Sequence, residues 1–482
     1  MNERTRIDNF LIEKFTFLSG NGNAINLSNY VREITLNESI DNMFVTGTVK
    51  VVVPRGLFSD LNCRFTGEDL VNIKIKTFYK IPKITNQKSI KGESLNPTDK
   101  KHSGVPIDVV LVVMGLDYST QSYSSSGVLS ETHDEIVFNL ISAEGILDKN
   151  QKVKKAFSKK NRVEIIKQIY NDYLKLDNES SAVLIGNPDC ENDFTCIIPN
   201  WAPSKAIAWL LTGCYDSYEK NYLFFQRLNR DKIETIFDTF SNIAKKDPII
   251  GDRNDVSFGL LGLDSSTTSL DETKDIENRL RTLLKPVRVL NSSILEHSFA
   301  GTWASKAFFY DITRKKYFDG KEVNAGKGEF VYRDDARAPE IDDYKKFITT
   351  DEYSKPESFI TIHPKQQFLF HTDEEVEGVD KKENWFLENN SQKNLNMFSR
   401  ISITTIGDTD VRVGETVTFS HNILRNLNDP VKEIKKKLDT SKEELGGTYI
   451  IWGIERVFKT PTNDSNLVCE NRMILLRDGA PL

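Results

Sequence analysis

Several residue types are scarce in this sequence. Cysteine, methionine and tryptophan number five each in 482 residues, and histidine only six. Five widely spaced thiols are an odd number, which excludes the paired framework of a small disulfide-rich secreted fold and points to a reducing cytoplasm. No apolar run approaches the roughly 18 residues of a membrane-spanning helix, so no membrane partner is expected. Residues 1–8 carry charges with no apolar stretch behind them and do not read as a secretory leader. A basic excess is missing too: 64 Lys and Arg against 70 Asp and Glu leave a net charge of −6. Proteins dedicated to gripping phosphates concentrate cations. The mild acidic excess suits solubility, or a surface past which nucleic acid slides without sticking.

Catalytic signatures are absent as well. The chain holds no Walker phosphate loop, no G-x-G-x-x-G, no H-E-x-x-H and no G-x-S-x-G. His363 and His371 are the closest histidines, but their spacing forms no recognisable ligand set. His133-Asp134-Glu135 opens a predicted strand and reads as a solvent-edge charge cluster more readily than as an acid–base pair. Cys190 and Cys196 would need two further soft ligands to hold zinc, and the local sequence offers none. The acids around them, and those from Asp373 to Asp380, lack the EF-hand spacing and read as solvated loops. The basic run Lys152, Lys154, Lys155, Lys159, Lys160 and Arg162 lacks the interleaved aromatics of a single-strand binder and reads as the solvated start of a helix. No catalytic, cofactor-binding or metal-binding residue is assigned, no cofactor is expected, and the chain does not read as an enzyme.

What is present is apolar material, 38% of the residues, enough for more than one core and too much for a disordered chain. At about 150 residues per domain, the length suggests roughly three. Val45, Gly47, Val49, Val51 and Val53 share one face of a period-two strand that Pro54-Arg55-Gly56 ends. Val71, Ile73 and Ile75 form a second, residues 107–114 a strand covered on both faces, and residues 136–141 another. Residues 83–104 and 119–126 read as exposed loops. Val163, Ile166, Ile169, Tyr170 and Tyr173 recur at helical spacing, predicting an amphipathic helix over residues 161–174. A second helix starts at Pro203, burying Ala206, Ile207, Leu210, Leu211 and Cys214, and a strand follows over residues 222–226. Trp201, Phe224 and Phe225 are expected in the core. Residues 265–269 read as a loop, 271–284 as a helix, and 371–388 as an acidic stretch. Near the end, Ile401 and Ile403 alternate with polar neighbours. Val411, Val413, Val417 and Phe419 predict two short strands around Gly414-Glu415. Residues 449–459 and 467–477 form a hairpin across a loop at 460–466.

Several of these segments, in order, resemble one family: the central baseplate hub protein of T4-like contractile phage tails. They are residues 25–28 with 31–40, the run from Gly47 to Gly56, and Gly67-Glu68-Asp69-Leu70. Lys154-Lys155-Ala156-Phe157 with Ile169-Tyr170-Asn171-Asp172 follows, then Ile198-Pro199-Asn200-Trp201, the most distinctive stretch. Residues 403–408, 413–417 and Ile454-Glu455-Arg456-Val457-Phe458 complete the set, which is spread over the two thirds of the chain outside residues 242–394. The resemblance implies an α+β, mainly β chain with two tail-tube-like antiparallel β-barrel domains, a small helical α/β domain and a large insertion. The first tube-like domain would take residues 1–148, the small domain 149–215, the second tube-like domain 216–241 and 395–482, and the insertion 242–394. The insertion departs from the family pattern. The resemblance further implies a homotrimer whose six tube-like domains form a pseudo-sixfold ring in the virion baseplate, assembled in the host cytoplasm. Its partners would be the central spike, the tail tube or its initiator proteins and the baseplate wedge, with genome DNA passing through unbound. A tail-associated cell-wall hydrolase, with the insertion as its catalytic part, and the hub of a bacterial contractile injection system are the alternatives.

Overall fold

The computed structural model describes residues 8–79, 106–121, 133–175, 183–186, 188, 190, 193–214, 221–230, 232–245, 257–258, 285, 287–290, 300, 304–311, 315–324, 360–364, 393–394, 397, 399–409, 411–419, 447–460 and 468–477. The loops expected at 83–104 and 265–269, the helix at 271–284, the acidic stretch at 371–388 and most of the 460–466 loop lie outside these residues.

The N-terminal block is β structure. Its strands are β1 (Asp8–Leu18), β2 (Ala24–Asn26), β3 (Val31–Ser39), β4 (Thr46–Pro54), β5 (Leu70–Tyr79), β6 (Ile107–Gln121) and β7 (His133–Ile141), with one helical turn, α1 (Leu57–Asp60). Alternation sets the register: Val49, Val51 and Val53 face inward with Phe15, Phe17 and Phe138, while their neighbours point out. Strand β6 runs through Ser119, Thr120 and Gln121, which pair with Glu135, Asp134 and His133. The loop expected from residue 119 therefore does not begin there, because the polar start of β7 supplies a ladder that satisfies those backbone groups.

The middle of the chain holds α2 (Ala143–Asn150), β8 (Val153–Asn161), α3 (Arg162–Ile169), β9 (Val183–Ile185), β10 (Asp193–Trp201), α4 (Pro203–Leu211), β11 (Tyr222–Asn229), β12 (Lys232–Thr239) and α5 (Phe240–Lys245). The side chain of Asn161 caps α3 by accepting from Val163 N at 2.8 Å. The expected helix continues to Leu174, but its last turn, Tyr170–Leu174, is a π-helix. The start of α4 is capped from outside. Ala202 has no capping side chain, and Asp148 of α2 accepts from Ser204 N at 2.5 Å and from Ser204 Oγ at 2.7 Å. A core of Val153, Ile165, Ile166, Ile169, Ala206, Ile207 and Leu210 joins these helices to Phe224 and Phe237 of the β11–β12 hairpin.

Beyond this lie β13 (Ser257–Phe258), β14 (Arg288–Val289), β15 (Ala304–Asp311), β16 (Lys316–Asn324) and β17 (Ile360–Pro364). Strands β15–β17 form a separate sheet, in which β15 and β17 run parallel. The last block is β18 (Ser399–Ile406), β19 (Thr416–Phe419), β20 (Gly447–Lys459) and β21 (Val468–Arg477), and the expected final hairpin is β20–β21.

The two ends of the chain meet in one sheet. Thirteen strands follow the order β14-β18-β21-β20-β3-β4-β7-β6-β5-β1-β2, with β19 beside β20 and β13 beside β19. The chain is mainly β, with this large antiparallel sheet at its centre. Among the described residues the path does not close on itself, and neither of the two barrels expected from the resemblance is seen as a closed barrel. Strand β20 is the corner of the sheet: residues 447–450 pair with β19, and 453–459 with β3. The change comes at a register shift between Ile451 and Gly453, where Trp452 Nε1 donates to Asp41 at 2.7 Å.

Candidate functional site

Glu38 on β3 and Arg456 on β20 are almost fully buried where the blocks join. Their Nε–Oε1 distance is 2.8 Å, and Leu228 N donates to the other Glu38 oxygen at 2.7 Å. The remaining Arg456 nitrogens donate to the carbonyls of Asp408 (3.0 Å) and Val411 (2.5 Å). Arg227 on β11 holds Glu234 at 2.9 Å and reaches the carbonyl of Val413 at 3.3 Å. Two arginines thus take the carbonyls that a strand at Val411 and Val413 would have offered to a neighbour. The first of the two expected short strands is replaced by a pinned turn. Gly414 supplies its positive φ of 79°. Glu415, also buried, accepts from Arg412 N at 3.1 Å, and its Oε1 lies 3.9 Å from Arg412 Nε. Burial pushes the Glu415 carboxyl up to about 7 against the pull of Arg227, Arg412 and Arg456. Three arginines and three glutamates from β3, β11, β12, β20 and the 408–415 turn therefore tie both β blocks to the central hairpin.

The singled-out residues fall elsewhere. Asp134 is buried and accepts from Gly56 N at 3.4 Å, so it fastens the turn after β4 and does not sit at a solvent edge. Glu135 meets Lys50 at 2.6 Å across the sheet. Asp69, within the Gly67–Leu70 motif, is buried and accepts from Gly20 N, from Thr66 N and Oγ1, and from Gly67 N, building that corner. Phe224 and Phe225 are in the core as expected, and Trp201 is half-buried.

Most of the basic run, Lys154 to Lys160, lies on a strand, β8, where a helix start was expected, and Arg162 opens α3. Lys154, Lys159 and Lys160 are exposed along β8, but Arg162 turns inward. Its guanidinium stacks 4.0 Å from the Phe194 ring centroid and packs so closely on Gly213 that a Cβ there would lie 1.3 Å from Nη1. Cys190, Cys196 and Cys214 surround it electrostatically. Cys214 is the third thiol that sequence spacing left out, because α4 delivers it from a distance. A hydrogen bond with Cys190, then burial, raise the Cys214 thiol well above its usual range, and burial raises Cys196. Among the described residues no group of three or more His, Cys, Asp and Glu is placed to hold a metal ion, and no helix is long and apolar enough to cross a membrane.

Beside this core, Trp209 packs against Trp201 and Phe194, each at 5.6 Å between ring centroids, with Lys205 Nζ 5.0 Å from the Trp201 centroid. Sequence reading of the lysine run alone missed these aromatics because β10 and α4 contribute them. The outer face of the β8–β10 sheet carries Ile197, 67% exposed, with Ala156 opposite it.

No known family model matches the chain, and no curated protein matches it in sequence. Among solved structures it is similar to the 43 kDa tail protein of prophage MuSo2 from Shewanella oneidensis, with a TM-score of 0.45 and 10% identity over 97% of this chain and 98% of that one. It is similar to the tail protein from Neisseria meningitidis MC58, with a TM-score of 0.44 and 9% identity over 98% of each chain. It is also similar to a chain of the Francisella PdpA–VgrG complex, with a TM-score of 0.47 and 10% identity, covering 98% of this chain and 53% of that one.

Proposed function

We propose that the protein is a structural hub of a contractile phage tail baseplate: a homotrimer that forms a pseudo-sixfold ring, adapts the sixfold tube to the threefold spike and lets DNA pass. In this reading residues 1–148 and residues 216–241 with 395–482 are the two tube-like units, 149–215 the small domain and 242–394 the insertion. The observation that carries it is the pairing of β20 with β3, which makes the two β blocks named by the sequence resemblance one hydrogen-bonded sheet. A pseudo-sixfold ring built from three chains needs its two units held at a fixed angle within each chain. A shared sheet, with a buried Glu38–Arg456 pair behind the seam, supplies that rigidity. The working chemistry is surface and packing, so the reading assigns no nucleophile, cofactor or metal. The net charge of −6 supports passage of DNA without adhesion. Spike, tube and wedge proteins are the partners, and the virion baseplate the location.

Light scattering on the purified protein tests the reading. A particle of three times the 55.0 kDa chain mass is expected. A species that stays monomeric even with a spike protein added overturns it, and lysis of peptidoglycan by the purified protein would restore the hydrolase reading.

A further inference from the structure

We propose that the β8–β10 sheet is a docking site for an extended, acidic segment of a partner protein, which adds alongside β8 as a further strand. Among the described residues β8 and β10 pair only with each other. Among the described residues the far side of β8 therefore faces no strand, and such an edge is a template for pairing.

Charge selects the occupant. Lys152, Lys154, Lys155, Lys159 and Lys160 crowd this strand and its approach in a chain that is otherwise net acidic. Lys155 meets Asp172 at 3.0 Å, Lys160 donates to Gln168 at 2.8 Å and Lys152 to the Lys149 carbonyl at 3.3 Å. Among the described residues Lys154, Lys159 and Lys160 have no carboxylate within bridging distance. A lysine-lined edge repels the same strand of a second copy and admits one of opposite sign. The centre of the outer face is apolar: exposed Ile197 lies across the ladder from Ala156, in a shallow depression completed by Lys154 and Pro199. An acidic segment with an apolar residue at every second position would place carboxylates against the lysines and an apolar side chain on Ile197. Single-stranded nucleic acid is disfavoured, because it needs aromatic platforms. Phe157 is buried, and Phe194, Trp201 and Trp209 are engaged with one another.

The test uses the full chain and a short fluorescein-labelled peptide of alternating glutamate and valine, followed by anisotropy. A lysine–valine peptide and a thymidine oligonucleotide are the comparisons. The acidic peptide is expected to bind saturably and to add hydrogen-exchange protection to the β8 amides. Binding should weaken at least about tenfold in Lys154→Glu/Lys159→Glu/Lys160→Glu, which is about 1.4 kcal/mol. Ile197→Asp reads the apolar centre separately and is expected to weaken the same peptide. All four positions are exposed, and unchanged circular dichroism verifies folding. No saturable binding, binding unaffected by the lysine changes, or binding without new β8 protection overturns the proposal. Tighter, lysine-dependent binding of the oligonucleotide overturns it in favour of a phosphate site. The inference is independent of trimer formation, so its failure leaves the hub reading standing.

Discussion

Arg456→Met is the sharpest test of how the two β blocks are held. The guanidinium makes three bonds from a position almost closed to solvent: to Glu38 and to the carbonyls of Asp408 and Val411. Removing one member of a buried ion pair costs about 3–5 kcal/mol, because the remaining charge stays desolvated. Each carbonyl left without a donor adds about 1–3 kcal/mol unless water reaches it. The sum is comparable with the whole stability of an ordinary domain, about 5–15 kcal/mol. The variant should therefore unfold early or lose the seam altogether. Glu38→Leu/Arg456→Met removes both charges and leaves only neutral groups unpaired. It should recover about 2–3 kcal/mol of the loss, since the burial cost disappears with the pair. Urea titration followed by tryptophan fluorescence reads both variants, because Trp452 sits at the same corner and bonds Asp41. A loss below about 1 kcal/mol in the single variant, or a double variant no more stable than the single, would refute the assignment of the pair as the clamp.

Other outcomes follow from the same geometry. Glu415 has a folded pKa raised to about 7 from 4.5, so the wild type should be most stable below pH 4.5 as far as this group is concerned. That contribution is lost as pH rises through 7. Glu415→Gln should flatten the dependence and be the more stable form at pH 8, by up to about 3 kcal/mol, in melts across pH. Gly414→Ala places a side chain at φ 79°, with its Cβ 2.8 Å from Phe225 Cζ. A loss of about 2 kcal/mol or more in denaturant titration is expected. Asp148→Ala removes the borrowed cap of α4 and should cost about 1–2 kcal/mol, read as lower hydrogen-exchange protection at the start of that helix.

Periodicity and turn chemistry determine much of this protein without help. The alternation of Val49, Val51 and Val53, the helical spacing of Val163, Ile166 and Ile169, Pro203 at a helix start and the closing hairpin are all local patterns. Local patterns are written within a few residues, where backbone geometry alone imposes a period of two or 3.6. Tertiary structure decided the rest, because it concerns partners far apart in the chain. Val411 and Val413 have strand-like spacing, yet arginines from β11 and β20 hold their carbonyls. Arg162 belongs to a basic run in sequence, but the fold brings Phe194 and Gly213 against its guanidinium. The lysines of β8 read as a solvated helix start until β10 pairs with them and sets an exposed isoleucine in their midst. The union of the chain's two ends rests on Glu38 meeting Arg456 across 418 positions. No local pattern encodes such a pairing, since both residues look like ordinary surface charges until a fold buries them together.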